Sequence, residues 1–312
     1  VWDAAGTLEV FRVSDNTLLT GSIPEDISQM TKLRQLWIAN IGLSGSIPES
    51  ITSLTDLTDF ISYNSGLTGT IPFDLGVLDK LDHLDVSNNL LYGKIPESMG
   101  GLTKLEKLVL SNNTLSGSIP TSVGELALLT EFFAQNNHLQ GSIPPGFADM
   151  DHLRIVSLKN NTLTGTIPGF SSSALKFIDL SMNQLSNSIP EIMFESDALE
   201  VVYLSNNTLT GTIPENIVNA TKLRDLWMDG NLLTGTIPDP KEDELSSISE
   251  LLLNFNRLSG PVPTGLCDLR ETSLSFVSLH ADCYPQVGQD EPNNVCAEGC
   301  CTSCFAGKTP SS

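Results

Sequence analysis

A short motif of glycine, a small polar residue, isoleucine and proline recurs along the chain at an almost constant spacing. The step between copies is mostly 24 residues, with 22 before Asn187, which holds the glycine position in one copy, and 25 before the last glycine. Such regularity predicts a repeat array in which each unit packs mainly against its neighbours. The glycines are Gly21, Gly45, Gly69, Gly93, Gly117, Gly141, Gly165, Gly211, Gly235 and Gly260.

The residues before each glycine follow the pattern L-x-x-L-x-L-x-x-N-x-L. In the fifth copy, Leu108 and Leu110 alternate with period two, which predicts a short strand with one buried face. One strand and its return loop cannot bury that face alone, so the repeats must stack. The asparagine, Asn113 in this copy, can bond backbone groups that the turn leaves unpaired. Glycine permits a backbone conformation closed to other residues, and proline starts the return path.

The asparagine position is regular only from the fourth repeat onward. It is filled by Asn89, Asn113, Asn137, Asn161, Asn183, Asn207, Asn231 and Asn256. In the first three repeats Asn16, Asn40 and Asn64 lie one residue before it, and Ile41 and Ser65 occupy it in the second and third. We expect Asp282 to fill it in a partial twelfth repeat containing Leu274, Val277 and Leu279. At about 4.8 Å per strand, twelve repeats predict a rod of roughly 50–60 Å.

This repeat resembles plant-type leucine-rich-repeat proteins, which include receptor-kinase ectodomains and polygalacturonase-inhibiting proteins. The resemblance runs from Leu8 to Cys283. It implies an α/β fold: a right-handed leucine-rich-repeat solenoid of about 12 repeats, with a concave parallel β-sheet, short helical turns on the convex side and extra strands at the G-x-I-P motif. We expect residues 1–266 to form eleven such repeats, and residues 267–312 the last partial repeat and a cysteine-rich C-terminal cap.

The resemblance carries over only the recognition role of the ectodomains. The family's paired cysteines at the N-terminal cap are absent before Trp2, and no membrane span or kinase motif follows Cys304. The possibility of a membrane tether outside these residues stays open. No apolar run reaches the ~18 residues of a membrane span.

All six cysteines lie near the C-terminus: Cys267, Cys283, Cys296, Cys300, Cys301 and Cys304. The last four, with Phe305, resemble the cysteine-rich end of algal (diatom-like) repeat proteins. We interpret the six as disulfides that close the solenoid, and predict that Cys267 pairs with Cys283. Zinc or redox chemistry at Cys301 and Cys304 is the alternative, but neither a histidine nor a βαβ context accompanies them. Disulfides, and the glycosylation sequons at Asn112, Asn160, Asn206 and Asn219, point to an extracellular or cell-surface location.

The charge and motif content excludes several function classes. With 37 Asp and Glu against 16 Lys and Arg, the net charge is −21, so the chain lacks the basic surface of a nucleic-acid binder. No catalytic motif is present, and the four histidines lie in different repeats. The acidic run from Asp239 to Glu244 reads as a solvated loop, with weak calcium binding as the alternative. We therefore predict no enzyme activity, no cofactor and no metal.

The residue between the two strand leucines should point outward in every repeat. This outward column reads Arg12, Trp37, Ile61, Asp85, Val109, Phe133, Ser157, Asp179, Tyr203, Trp227, Leu252 and Ser278. Exposed aromatic residues mark interaction surfaces, although aromatic residues also suit strands in general. We favour binding, and predict that a ligand docks at Tyr203 and Trp227 with Arg224 and Asp229 beside them. Trp37 and Phe133 should contribute at the margins.

Serine and threonine form a second regular array on both sides of the motif glycine, for example Thr210 and Thr212. Residues i and i+2 of a strand face the same way, so two hydroxyl columns could match a polysaccharide or ice. Three hypotheses follow for function. The first is a receptor-like recognition domain for a protein, peptide or glycan ligand. The second is a secreted inhibitor of a cell-wall-degrading enzyme, and the third is an adhesive or ice-binding wall protein.

Overall fold

The computed structural model describes residues 7–272, 278–282 and 303–305. The chain forms two compact units, residues 1–163 (unit 1) and residues 164–312 (unit 2). In each unit a three-residue strand of the main sheet is followed by a turn, a short strand at the G-x-I-P motif and a return path. No described helix is long and apolar enough to cross a membrane.

The main strands are parallel and in register within each unit. In unit 1 they are Val10–Arg12, Gln35–Trp37, Asp59–Ile61, His83–Asp85, Lys107–Val109, Glu131–Phe133 and Ile155–Ser157. In unit 2 they are Phe177–Asp179, Val201–Tyr203, Asp225–Trp227, Glu250–Leu252, Ser278–Asp282 and Ser303–Phe305. Within each unit, consecutive main strands pair with one another, as a stacked repeat requires.

The motif strands and return helices complete each repeat. The motif strands are Thr20–Gly21, Gly42–Leu43, Tyr92–Gly93, Thr114–Gly117, His138–Gly141, Thr162–Gly165, Gln184–Asn187, Thr208–Leu209, Thr234–Gly235 and Arg257–Leu258. The 3-10 helices are Glu25–Gln29, Glu49–Ser53, Leu75–Val77, Glu97–Gly101, Thr121–Glu125, Pro145–Asp149, Glu191–Phe194 and Glu215–Asn219. One α-helix, Thr264–Thr272, follows the last motif among the described residues. The predicted strand, turn and helical return are confirmed.

The core is formed by the middle residue of each main strand together with the other leucine positions of the repeat. Leu108 and Phe132 in unit 1 and Leu226 in unit 2 are fully buried. Each such side chain contributes roughly 1.5–3 kcal/mol when removed from water. The period-two alternation therefore predicts correctly which side of each strand faces the core.

The asparagines of the repeat pattern, here called the ladder asparagines, join neighbouring repeats through buried hydrogen bonds. Their place in the pattern is called the ladder position. Asn113 accepts a bond from the Leu91 N–H at 2.9 Å and donates to the Val86 carbonyl at 3.0 Å, both in the preceding repeat. It also donates to the Leu110 carbonyl of its own turn at 3.2 Å. Ser65 holds the same position in the third repeat, where its hydroxyl donates to the Ile38 carbonyl at 2.7 Å. The predicted role of this position is confirmed.

The register at the first repeat differs from the prediction. The pairing of Arg12 with Trp37 places Asp15, rather than Asn16, beside Asn40, whose side chain donates to the Asp15 carboxylate at 2.8 Å. Asn16 therefore occupies the ladder position, and its predicted offset was wrong. It is exposed and donates to the Ser14 carbonyl at 2.6 Å. The cause is the length of the first repeat. The distance along the chain from Arg12 to its partner Trp37 is one residue longer than the distance from Gly21 to Gly45.

The last described repeat also has a different register. Leu279 pairs with Leu251, so Ser278 pairs with Glu250, and His280 takes the outward position beside Leu252. The predictions that placed Ser278 in the outward column and Asp282 at the ladder position are therefore wrong. The return path here contains the α-helix Thr264–Thr272 instead of a 3-10 turn, and the strand starts two residues later than the leucine pattern suggests.

The motif glycine is required for two physical reasons. Gly235 has a left-handed φ of +79°, and a Cβ atom placed on it would lie 2.8 Å from the Thr212 Cγ2 atom of the preceding repeat. Gly69 stands in the same relation to Ser46, at 2.8 Å from its Cβ atom. At these two glycines a side chain would strain the backbone and would also collide with the preceding repeat. Asn187, with φ +66°, tolerates the same conformation.

Candidate ligand-binding surface

The first and third residues of each main strand face away from the core. In unit 2 the third residues form the outward column Asp179, Tyr203, Trp227, Leu252 and His280, and the first residues run alongside as Phe177, Val201, Asp225, Glu250 and Ser278. In-register pairing puts Tyr203 directly beside Trp227. Two parallel rows of side chains thus line one face of this sheet.

Three aromatic rings pack together on this face. The rings of Tyr203 and Trp227 are stacked, with centroids 4.1 Å apart and an interplanar angle of 30°. Phe177 meets Tyr203 edge to face, with centroids 5.9 Å apart. We call Phe177, Tyr203 and Trp227 the aromatic platform. Aromatic pairs of this kind contribute about 0.5–1.5 kcal/mol beyond their buried area, so the rings are held in place before any ligand arrives.

Phe177 was missing from the predicted site. It is the first residue of the strand that ends at Asp179, and the period-two pattern places both on the outward face. The sequence does carry this signal, because the first and third residues of a three-residue strand face the same way.

Carboxylates surround the platform. The Trp227 Nε1–H donates to the Glu250 Oε2 atom at 3.2 Å, and Asp225 is the in-register neighbour of Glu250. Asp229 accepts a hydrogen bond from the Ser205 hydroxyl. Arg224 is exposed. Among the described residues, no ion pair joins Asp225, Asp229 or Glu250 to a lysine or arginine.

The surroundings raise the pKa values of two titratable groups, Asp225 and Tyr203. Burial raises the pKa of Asp225, the Glu250 carboxylate raises it further, and Arg224 partly offsets both. Burial also raises the pKa of the Tyr203 hydroxyl, with the carboxylates of Asp225 and Glu250 adding to the effect. Both shifts describe a half-buried region of excess negative charge.

The two aromatic residues expected at the margins belong to unit 1, and each already lies near a cation of the protein. The Arg12 guanidinium carbon lies 4.0 Å from the centroid of the Trp37 ring. Lys107 Nζ lies 6.0 Å from the centroid of the Phe133 ring. In unit 1, therefore, cation–π contacts occupy the neighbourhood of both rings.

The outward column is not uniformly exposed. Ser157, expected to face solvent, is only 4% exposed, and Ile61, Val109 and Asp179 are also buried. Phe133 is the in-register neighbour of both Val109 and Ser157. The expectation that Ser157 faces solvent was therefore wrong, and its burial goes with a large ring at the adjacent in-register position.

The serine and threonine columns are exposed but differ in their bonding. Thr234 donates to the Gly211 carbonyl at 3.1 Å, and Ser44 donates to the Gly21 carbonyl at 3.1 Å. Hydroxyls before the glycine thus stabilise neighbouring repeats. Those after it, such as Thr212 and Thr236, are exposed beside the glycine of the next repeat.

The candidate modification sites lie outside the main strands and are exposed. Asn112, Asn160 and Asn206 are exposed with left-handed φ values of 55°, 54° and 57°. Asn112 donates to the Asn88 side-chain oxygen at 2.9 Å. Asn219 is exposed at the end of a 3-10 helix. Glycosylation of all four stays a prediction.

The cysteine predictions fall mostly on undescribed parts of the chain. Cys267, in the α-helix, is disulfide-bonded. Cys283, Cys296, Cys300 and Cys301 lie outside the described residues, so the pairing stays a prediction. In the described part of the chain no group of three or more histidine, cysteine, aspartate or glutamate residues is arranged to hold a metal ion.

Comparison with known proteins agrees with the repeat geometry. Family models described as leucine rich repeat match residues 75–139, 174–195 and 198–220. The chain is a leucine-rich-repeat protein. Its fold is an α/β leucine-rich-repeat solenoid of about twelve repeats. A search of curated proteins finds no match.

Solved structures of plant leucine-rich-repeat proteins are similar over most of the chain. The Arabidopsis receptor kinase HAESA, in complex with the peptide hormone IDA and the co-receptor SERK1, is 33% identical with a TM-score of 0.81 over 88% of this chain and 46% of that one. The PEPR1–AtPEP1 structure is 33% identical with a TM-score of 0.79 over 90% and 40%. This leucine-rich-repeat chain therefore spans less than half the length of either matched chain.

A plant ice-binding protein matches over a similar length. It is 29% identical with a TM-score of 0.71, and the match covers 80% of this chain and 80% of that one. The comparisons thus include both ligand-binding receptors and an ice-binding protein, and the same repeat architecture serves both.

Proposed function

We propose that this leucine-rich-repeat chain is an extracellular recognition domain that binds a protein, peptide or glycan ligand on the outward face of the unit 2 sheet. The observation that carries the proposal is the stack of Tyr203 on Trp227, two half-buried rings with centroids 4.1 Å apart. A preformed aromatic surface loses little conformational freedom on binding, and Trp and Tyr are enriched among residues that dominate binding energy. The peptide hormone in the HAESA structure supports a peptide ligand.

Substitution of the platform tests this proposal. Tyr203→Ala and Trp227→Ala should each weaken a ligand found by screening by ~2 kcal/mol or more, which is about thirtyfold in Kd. Neither side chain is in the core, so each variant should stay folded, with the melting temperature lowered by only about a few degrees through the lost ring contacts. Trp37→Ala is the matched control, because Arg12 already covers that ring. Unchanged affinity in both platform variants would contradict the proposal.

A second candidate function is ice binding, as in the similar plant protein. The exposed hydroxyls after the motif glycine, such as Ser188, Thr212 and Thr236, provide a regular polar row. An ice-recrystallisation assay with Thr212→Lys, compared with the platform variant Trp227→Ala, separates the two functions. Only the first substitution should reduce an ice activity. A secreted enzyme inhibitor would instead use the platform face, which adding the protein to a polygalacturonase assay would test.

A further inference from the structure

The two aromatic residues of the unit 1 outward column share one arrangement of three groups. At Trp37, a cation from the preceding strand, Arg12, lies over the ring, and its Nη2 atom donates at 2.7 Å to the Gln35 Oε1 atom. At Phe133, the preceding-strand cation Lys107 lies near the ring and pairs with Glu131 at 2.9 Å. In both cases the oxygen that holds the cation belongs to the first residue of the ring's own strand.

Unit 2 contains two of these three groups at Trp227. The ring belongs to the strand Asp225–Trp227, whose first residue supplies a carboxylate. The position in the preceding strand that holds a cation at Phe133 is taken by Val201 here, and the position that holds one at Trp37 is taken by Tyr203. Arg224, the residue before Asp225 in the chain, is exposed and lowers the pKa of Asp225 from a distance. Neither it nor any other lysine or arginine of the described residues forms an ion pair with Asp225.

A second carboxylate strengthens the same negative region. Glu250 is the in-register neighbour of Asp225, and its Oε2 atom accepts the Trp227 Nε1–H at 3.2 Å. Like charges on adjacent strands are unfavourable unless a cation lies between them. Elsewhere in this row the protein satisfies its acids itself: Asp59 accepts bonds from Gln35 at 3.0 Å and from Thr58 at 2.8 Å.

We infer that the ligand supplies the missing cation, an arginine or lysine side chain of a peptide or protein that lies against the aromatic platform and binds Asp225 and Glu250. This inference rests on the proposed function and names the chemistry of its ligand. The exposed edge of the stack gives the apolar part of a long basic side chain a surface to cover. The net charge of −21 attracts a basic partner from a distance.

Selection from a randomised dodecapeptide library displayed on phage tests the inference, with the whole chain as the immobilised target. Selected peptides should be enriched in arginine or lysine. Replacing the critical arginine by citrulline, which is neutral and of similar shape, should weaken binding at least tenfold when measured by calorimetry, on the order of 1.4 kcal/mol. Asp225→Asn and Glu250→Gln should each weaken binding of the arginine peptide by a similar factor. When the protein carries Asp225→Asn, replacing the arginine of the peptide by citrulline should weaken binding little further. Glu131→Gln is the matched control, because Glu131 holds the same strand position as Asp225 but already forms an ion pair with Lys107.

The outcomes separate this inference from the proposed function. A peptide whose binding depends on Tyr203 and Trp227 but is unaffected by citrulline would overturn the cation and leave the binding surface standing. Platform-dependent binding of a neutral oligosaccharide on a glycan array, with no basic peptide selected, would do the same. If no peptide or glycan depends on the two rings, both proposals are wrong.

Discussion

At the scale of single residues, each ladder asparagine bonds several buried backbone groups with one short side chain. Asn161 donates to the Ala134 and Leu158 carbonyls at 3.0 Å each, and accepts from the Leu139 N–H at 2.9 Å. All three partners are backbone groups that water cannot reach. A buried polar group without a partner costs about 1–3 kcal/mol.

Asn161→Ala should therefore lower the free energy of unfolding by about 2 kcal/mol or more, because it leaves several buried backbone groups unpaired. Lys159→Ala, two residues earlier and partly exposed, is the control and should change stability by less than about 0.5 kcal/mol. Urea unfolding followed by circular dichroism measures both. Equal shifts in the two variants would show that the ladder bonds do not stabilise the fold.

The raised pKa of Asp225 predicts a pH-dependent stability effect. The folded state holds this proton more tightly than the unfolded chain, so ionised Asp225 destabilises the protein at neutral pH. The penalty disappears as pH falls through the raised pKa towards 3.8, the ordinary pKa of an aspartate. Asp225→Asn should therefore be more stable than the native chain at pH 7, with the difference shrinking towards pH 4. Urea unfolding at both pH values measures this.

Asp56 provides a control of opposite sign. Its hydrogen bond to Lys80, at 2.6 Å, lowers its pKa, so its contribution is present above the unfolded pKa and is lost as pH falls through the lowered value. Asp56→Asn should thus be less stable at pH 7. If Asp225→Asn is also less stable than the native chain at pH 7, the ionised Asp225 carboxylate does not destabilise the fold.

At the scale of the repeat element, stacking depends on the absence of a side chain at the motif glycine. The left-handed backbone and the close approach of the preceding repeat act together at Gly235, whereas Gly141, with φ +75°, has its nearest neighbour, the Ser118 Cβ atom, at an ordinary 3.5 Å. The two glycines therefore separate backbone strain from collision between repeats.

Gly141→Ala should cost about 1–2 kcal/mol from the left-handed backbone alone, and Gly235→Ala should cost more. Adding Thr212→Ser removes the Cγ2 atom that the new Cβ would meet at 2.8 Å, so the double variant should recover most of the excess. Thermal and urea unfolding of Gly235→Ala, Thr212→Ser and their double variant completes the double-mutant cycle, with Gly141→Ala measured beside them. A double variant no more stable than Gly235→Ala would argue against the collision.

At the scale of the whole molecule, excess negative charge is the dominant electrostatic feature. The net charge is −21, and the ion pairs of the described residues, such as Lys32–Asp56 and Lys176–Glu200, are partly exposed. Exposed pairs contribute only about 0–1 kcal/mol each. Repulsion between unpaired carboxylates therefore outweighs the attraction that salt would screen.

Raising the ionic strength from 0.01 M to 0.15 M should raise the melting temperature, because the Debye length falls from about 30 Å to about 8 Å and screens the repulsion. Differential scanning calorimetry in sodium chloride measures the change. At pH 4, where many carboxylates are protonated, the same increase in salt should have little effect. A melting temperature that falls with salt at pH 7 would mean that the ion pairs dominate.

The sequence by itself determined the repeat, the buried side of each strand and the ladder asparagine. These features are local: period-two leucines and a glycine that allows a left-handed turn have the same consequence in every copy. The pattern was also sufficient to place Tyr203 beside Trp227, since constant repeat length brings equivalent positions into register.

Only the tertiary structure decided what each outward position is used for. Ser157 is buried with Phe133 as its in-register neighbour. Trp37 is covered by Arg12 from the preceding strand, and Phe177 joins the platform because Tyr203 lies on the next strand. Register shifted at the first and last described repeats, where repeat length changed. The physical reason is common to all: a side chain's surroundings come from the adjacent repeat, some 24 residues away along the chain, and one copy of the motif carries no information about them.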